Sequence, residues 1–123
     1  MKPEKLLQLA REAQRNALAP YSNYQVGAAL LTENGTVITG CNVESKAYPT
    51  TMCAERVAIY SALAQGYRKF QALAVVTNDG GSPCGGCRQV IYEYLGEIPI
   101  YIGDARNLVR TVQTSELFPY PFG

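Results

Sequence analysis

The chain of 123 residues suits a single domain, and its 47% hydrophobic and 17% charged residues exclude a disordered or fibrous protein. A net charge of +1 argues against a nucleic-acid partner, and no run of about 18 apolar residues is present to span a membrane. Histidine is absent, so a carboxylate, Tyr, Lys, Cys or metal-bound water must carry any proton chemistry near neutral pH.

Hydrophobic periodicity and turn signals predict the element order α-β-β-α-β-α-β-β. The predicted helices cover residues 3–18, 53–65 and 83–95, and the predicted strands cover 26–32, 37–43, 70–77, 98–102 and 108–112. The expected inward face of the first helix comprises Leu6, Leu9, Ala10, Ala13 and Ala17. The aromatic tail, residues 118–123, is expected to be irregular because it contains Pro119 and Pro121. This order predicts one domain over residues 1–123, a three-layer α/β/α sandwich around a mixed sheet of about five strands.

The four cysteines are Cys41, Cys53, Cys84 and Cys87. The first residues do not resemble a secretory signal, so we expect a cytoplasmic protein whose thiols bind a metal or act in redox chemistry. For the C-x-x-C pair at 84–87, zinc is favoured over a redox pair. The helix after Cys53 advances roughly 18 Å and the next strand returns roughly 20 Å, which brings three thiols together at two helix N-termini. Three thiolates leave one zinc position open, as in catalytic sites.

Three further residues near these thiols have competing interpretations. Strand alternation puts Cys41 in an apolar row, so we expect it in the core and not as a fourth ligand. Glu55 could face the metal as a proton carrier if Cys53 precedes the regular helix, or it could simply compensate the helix dipole. Arg56 could donate to a thiolate or lie on the surface as a solvated side chain.

The chain resembles the cytidine deaminases, in their short, homotetrameric, zinc-dependent form. Cys53–Arg56 reads C-A-E-R and Pro83–Gln89 reads P-C-G-G-C-R-Q, similar to the two zinc motifs of that family. Ala19–Ala29 is similar to the family's A-P-Y-S-x-F-x-V-G-A-A segment. Gly40–Glu44, followed by Ala47 and Tyr48, is similar to its G-C-N-V-E-N-A-S-Y segment. The resemblance covers nearly the whole chain.

The resemblance implies deamination of free cytidine and 2′-deoxycytidine in pyrimidine salvage. The resemblance also implies that Cys53, Cys84 and Cys87 hold one Zn²⁺ per subunit. It implies that the zinc-bound hydroxide attacks C4 of the base while Glu55 shuttles protons. The implied substrate-binding residues are Tyr24, Asn42, Glu44, Tyr48, the Ala54 backbone N–H and Phe122. The resemblance assigns Asn42 and Glu44 to the ribose. It assigns to a neighbouring subunit's site a tail aromatic that corresponds best to Phe122, with Phe118 and Tyr120 as rivals.

Departures from the family pattern keep other functions open. Tyr24 replaces a phenylalanine, Lys46 adds a charge near the expected nucleoside, and Gly86 replaces an alanine. One alternative is a deaminase of a modified cytosine nucleoside, such as a blasticidin-type antibiotic. Another, of a different class, is a non-catalytic structural zinc module with Cys41 as fourth ligand. The tail aromatics could also cap the domain's own core.

Overall fold

The computed structural model describes all 123 residues and contains a central sheet with helices on both faces. The helices are α1 (Pro3–Gln14), α2 (Ala54–Ala64), α3 (Gly85–Leu95) and α4 (Thr114–Leu117), with one 3₁₀ turn at Tyr48–Thr50. The strands are β1 (Gly27–Thr32), β2 (Val37–Cys41), β3 (Phe70–Val76), β4 (Pro99–Gly103) and β5 (Leu108–Gln113). No helix combines the length and the apolar character that crossing a bilayer requires.

The sheet is mixed and its strands are arranged in the order β2-β1-β3-β4-β5. Strand β1 is antiparallel to β2 and to β3, β3 is parallel to β4, and β4 is antiparallel to β5. The parallel pair is joined through α3, because parallel neighbours need a crossover connection. The five strands and their helices confirm the predicted fold class.

Two apolar clusters lie on opposite faces of the sheet. On one face Ala28 and Leu30 of β1 pack with residues of α2 and α3, and on the other Ala29 and Leu31 pack with α1. All six residues of β1 are buried, as expected for a strand covered on both faces. This arrangement leaves the N-termini of α2 and α3 on the same side of the sheet.

Helix α1 differs from its prediction because it ends at Gln14 and not at residue 18. Beyond it, the Leu18 backbone N–H donates to the Asn42 carbonyl, and the Leu18 carbonyl accepts from the Glu44 N–H. These bonds hold Leu18 in a bridge with Val43 instead of a helical turn. The buried residues of α1 are Leu6, Leu7, Ala10 and Ala13, so Leu7 joins the inward face and Ala17 lies outside the helix.

Helix α2 approaches the sheet closely at Gly40 of β2. A Cβ added at Gly40 would lie 2.5 Å from the Ala54 carbonyl oxygen and 2.6 Å from the Ala58 nitrogen, closer than real Cβ contacts. The missing side chain therefore lets the first turn of α2 rest directly on β2. That turn follows Cys53, so the contact sets the height of this thiol above the sheet.

Candidate active site

Three cysteine thiols converge at the N-termini of α2 and α3. Cys53 is the N-cap of α2 and Cys84 the N-cap of α3, while Cys87 lies fully buried in the first turn of α3. The three sulfur atoms all lie within 4.8 Å of one another, and those of Cys84 and Cys87 are 3.4 Å apart. The predicted convergence is confirmed. Helix α2 leads the chain away from Cys53, and strand β3 returns it by a similar distance to the start of α3.

The chemistry of this donor set fits zinc. Tetrahedral Zn²⁺ with bonds of about 2.3 Å to sulfur separates its thiolates by about 3.8 Å, which a cluster of this size can supply with small adjustments. Uncapped helix N-termini also stabilise thiolates, because their backbone N–H groups lack intrahelical partners. Cys53, Cys84 and Cys87 are therefore the residues that would hold the ion.

Cys41 lies outside the thiol cluster, as predicted, but it is not a core residue. It pairs with Gly27, whose missing Cβ faces α1, so Cys41 points to the sheet face opposite α2. The buried residues of β2 are Ile38 and Gly40. Cys41 is only half-buried because β2 is an edge strand with no neighbour on its outer side.

Substitution of Cys41 tests whether the metal site has three or four thiol ligands. We expect Cys41→Ser to retain the same zinc content as the unmodified chain, because the Cys41 thiol faces away from the cluster. Cys84→Ser, which removes a clustered thiol, should lose most of the bound zinc. Metal analysis after gel filtration measures both. Loss of zinc from a folded Cys41→Ser variant would instead support the alternative of a closed structural zinc site with Cys41 as the fourth ligand.

Glu55 is buried beside the thiols with 4% of its surface exposed. Cys53 has extended backbone angles, φ −74° and ψ 151°, so the regular helix begins only after it, which is the condition for Glu55 to face the metal site. Burial raises the pKa of the Glu55 carboxyl to about 7, and the negative Cys53 thiolate adds to this shift. A carboxyl with such a pKa can accept and donate protons near neutral pH. Its burial against the cavity also argues against simple compensation of the helix dipole.

Arg56 contacts the cluster directly and is not a free surface cation. Its Nη2 donates to the Cys53 sulfur at 3.0 Å. The Cys87 thiol and the Arg56 guanidinium together lower the pKa of the Cys53 thiol to about 5, while the same hydrogen bond raises the pKa of Arg56. Arg56 therefore offsets the negative charge of the Cys53 thiolate, and it would offset part of the charge of three thiolates around a bound zinc ion.

A cavity of about 430 Å³ opens onto the thiols and Glu55. Its wall includes every residue assigned to the metal or the proton carrier. Of the residues predicted to bind substrate, the wall includes Tyr24, Asn42, Glu44, Tyr48 and Ala54. Phe122 is not among them. The fold thus gathers residues from four separate segments around one space.

Asn42 and Glu44 are already engaged with the protein backbone. Asn42 accepts from the Val26 N–H at 2.8 Å and donates to the Tyr24 carbonyl at 2.8 Å, which leaves one amide hydrogen and one lone pair free. Glu44 accepts from the Ser22 hydroxyl and from the N–H groups of Ser22 and Tyr21. The Ser22 hydrogen bonds lower the pKa of Glu44, so the group is a carboxylate.

The two most exposed of the predicted site residues lie in different places. Tyr48, 84% exposed, sits at the rim of the cavity. Phe122, 87% exposed, lies on the irregular tail, where its backbone exchanges two hydrogen bonds with the Gln89 side chain. Tyr120 is also exposed. Tyr120 and Phe122 therefore do not cap the domain's own core, whereas Phe118, the third tail aromatic, is half-buried.

The sequence reasoning missed the part of the wall that follows β3. Thr77 and Gly81 line the cavity, and Asp79 between them accepts a hydrogen bond from the Tyr24 hydroxyl at 2.8 Å. The sequence marks residues 78–83 as a turn-rich loop, and the family resemblance gives a role in base binding only to the carbonyls near Ser82 and Pro83. The one signal was Tyr24 itself, whose hydroxyl needs a partner that a phenylalanine does not.

Comparisons with known proteins agree with this site. Residues 1–101 match the family model described as "Cytidine and deoxycytidylate deaminase zinc-binding region". The cytidine deaminase of Sporosarcina psychrophila is 45% identical over 125 residues, covering 99% of this chain and 92% of that protein. A crystal structure of cytidine deaminase from Burkholderia pseudomallei superposes with a TM-score of 0.93 at 44% identity, covering 99% of this chain and 100% of that one. Blasticidin-S deaminase of Bacillus cereus is 31% identical over 111 residues, 82% of this chain and 79% of that protein. By its sequence, its fold and its thiol cluster, the chain belongs to the cytidine deaminases, a family of hydrolases.

Proposed function

We propose that the protein hydrolyses free cytidine and 2′-deoxycytidine to uridine and 2′-deoxyuridine, releasing ammonia, as a step of pyrimidine salvage. Residues 1–123 act as one catalytic domain that binds one zinc ion. The observation that carries this proposal is a buried Glu55 carboxyl in the wall of a cavity that is also lined by three clustered cysteines. The four cysteines are free thiols, which suits a reducing compartment such as the cytoplasm.

The chemistry divides between the metal and one acid. A zinc ion held by the three cysteines would lower the pKa of a water molecule to about 7 and so supply a nucleophile at neutral pH. Glu55 accepts a proton from the attacking water and delivers it to N3 of the pyrimidine. It then carries the second proton of that water to the amino group at C4, which leaves as ammonia. A carboxyl with a pKa of about 7 suits both transfers.

The remaining wall residues bind and orient the nucleoside. Ala54 is the first residue of α2, and its backbone N–H has no partner within the helix and no side-chain cap. This N–H is therefore free to donate to the base. Asn42 and Glu44 offer their unused lone pairs and amide hydrogen to the ribose hydroxyls, which favours a nucleoside over free cytosine. No Lys or Arg lines the cavity, and the Glu44 carboxylate would repel a phosphate. The cavity is therefore suited to nucleosides and not to nucleotides.

Absorbance assays with four substrates test this proposal. We expect turnover of cytidine and 2′-deoxycytidine, with kcat/KM at least about a hundredfold lower for cytosine, which lacks the sugar that the polar wall groups bind. Cytidine 5′-monophosphate should react equally poorly. Zinc content is measured on the same samples. Absence of turnover by fully zinc-loaded protein with either nucleoside would overturn the proposal, and efficient turnover of the monophosphate would overturn its nucleoside specificity.

A modified cytosine nucleoside is the second candidate substrate. Lys46 lies exposed beside Glu44 and Tyr48 in a surface depression next to the cavity, where it could contact a substituent on the sugar. The similarity to blasticidin-S deaminase points in the same direction. A higher kcat/KM for blasticidin S than for cytidine, lost in Lys46→Ala, would favour this candidate.

We also propose that the chain acts as a homotetramer in which Phe122 reaches a neighbouring subunit's cavity. The exposed ring and the backbone bonds to Gln89 support this, since the bonds hold the tail in place while Phe122 stays 87% exposed. The same placement explains why Phe122 is absent from its own cavity wall.

Removal of the tail tests the shared site. A chain ending at Leu117 should show KM for cytidine raised about tenfold or more, as expected when an aromatic contact with the substrate is lost. Phe122→Ala should reproduce most of this increase, whereas Tyr120→Ala, which removes an equally exposed ring, should not. Kinetics that match the full chain in both Phe122→Ala and the truncated protein would contradict the proposal, and gel filtration reports the assembly state.

A further inference from the structure

The Tyr24 hydroxyl joins two segments of the cavity wall that are far apart in the sequence. It donates to Oδ1 of Asp79 at 2.8 Å. The same oxygen accepts from the Thr77 hydroxyl and from the Gly81 N–H, each at 3.1 Å, and the Thr77 hydroxyl itself accepts from the Gly81 N–H at 2.8 Å. One carboxylate oxygen thus accepts hydrogen bonds from within the loop after β3 and also one from the segment before β1.

The absence of a side chain at Gly81 leaves space for the Tyr24 hydroxyl. A Cβ at Gly81 would lie 2.7 Å from the Tyr24 hydroxyl oxygen, a distance that real Cβ atoms do not adopt. The loop therefore approaches the tyrosine as closely as the backbone allows. A phenylalanine at position 24 would fill the same wall but could donate no hydrogen bond to Asp79.

The last residue of α1 bridges the same two segments at a second point. The Gln14 side-chain amide donates to the Gln25 carbonyl at 3.0 Å and to the Asn78 side-chain oxygen at 3.2 Å. The loop that both connections hold continues through Ser82 into Cys84, and both of these residues line the cavity. The loop position therefore affects both the width of the cavity and the entry to the thiol cluster.

We propose that Tyr24 and Asp79 form a latch that positions the loop after β3 as a wall of the nucleoside cavity, so that both are positioning residues for substrate binding. The inference rests on the proposed nucleoside deaminase function and assigns Asp79 a role within it. The latch shapes the wall both before and during the reaction. Its loss therefore weakens the binding of the substrate in the ground state and in the transition state by a similar amount. Such uniform binding appears in KM and leaves kcat nearly unchanged.

Kinetics of four single variants test the latch. Tyr24→Phe should raise KM for cytidine about three- to tenfold, the effect of losing one hydrogen bond. Asp79→Ala removes three hydrogen bonds and should raise KM at least as much. Both variants should keep kcat within about twofold and full zinc content. Asp79→Asn keeps an acceptor oxygen and should recover most of the affinity. The control Tyr60→Phe removes an exposed hydroxyl on α2 and should leave both constants unchanged. The double variant Tyr24→Phe/Asp79→Ala should be no worse than Asp79→Ala, because the two groups act as one unit.

Hydrogen exchange gives a readout that does not depend on turnover. Peptides covering residues 77–84 should exchange faster in Tyr24→Phe than in the unmodified chain or in Tyr60→Phe. Unchanged KM together with unchanged exchange in Tyr24→Phe would overturn the latch, as would additive effects in the double variant. If the zinc-loaded unmodified chain fails to deaminate cytidine, the proposed function fails, and the exchange data alone decide whether the latch exists.

Discussion

Glu55→Gln is expected to lower kcat for cytidine by about 10²- to 10⁴-fold, the contribution of a positioned general acid–base group. The amide has nearly the shape of the carboxyl, so it fits the same buried position, but it cannot take a proton from water at neutral pH. The three thiols are untouched, so zinc content and thermal unfolding should stay close to those of the unmodified chain. Initial rates followed by absorbance, with metal analysis, measure the effect.

A matched substitution isolates the proton-carrying role. Glu12→Gln removes an exposed carboxylate on α1, on the face of the sheet opposite the cavity, and should leave kcat and KM unchanged. Substrate binding by Glu55→Gln should persist, because the base and ribose contacts remain. Near-normal turnover in zinc-loaded Glu55→Gln would refute the assignment of Glu55 and return it to the ordinary role of a helix-start carboxylate.

Gly40→Ala is expected to lower the free energy of unfolding by about 1–3 kcal/mol, because the added Cβ has no space between β2 and α2. The clash falls on the carbonyl of Ala54 and the nitrogen of Ala58, backbone atoms that can move only if the helix moves. Displacing α2 also displaces Cys53 at its start. We therefore expect weaker zinc retention in the folded variant as well as lower stability.

Gly86→Ala provides the control for this substitution. An added Cβ at Gly86 meets no atom within 4 Å, and the residue lies in α3, where alanine is favoured over glycine by about 0.5–1 kcal/mol. Denaturant unfolding should move the midpoints of the two variants in opposite directions. A Gly40→Ala protein as stable as the unmodified chain would show that the helix does not rest on the strand as described.

Much of the fold can be predicted from local hydrophobic patterns and turn residues in the sequence. The mostly apolar stretch before Asn34-Gly35 favours a buried strand followed by a hairpin, and β1 is buried and pairs with β2 in this way. Only Gly35 of the two turn residues has a positive φ, 91°, so the loop is not the two-residue primed turn that Asn-Gly favours. The end of α1 could not be predicted in the same way. Its last predicted turn, up to Leu18, is taken over by long-range backbone bonds to Asn42 and Glu44, which no local periodicity reveals.

The reactive part of the site was also readable from the chain. Helix and strand rises depend little on context, so the spacing from Cys53 to Cys84 was sufficient to bring the thiols together. The extended conformation of Cys53 followed from its place just before a helix. Arg56, three residues further on, came within reach of the Cys53 thiol for the same geometric reason.

The thiol cluster and the layered architecture can be read from the amino-acid sequence, because each depends on regular spacing within one or two elements. Three features emerge only in the folded molecule: Cys41 faces α1, the Phe122 ring lies outside its own cavity, and Tyr24 contacts Asp79. These facts depend on strand pairing and on loop paths between distant segments. Such contacts are set by the packing of the whole chain, and neither residue of a pair carries a local sign of its partner.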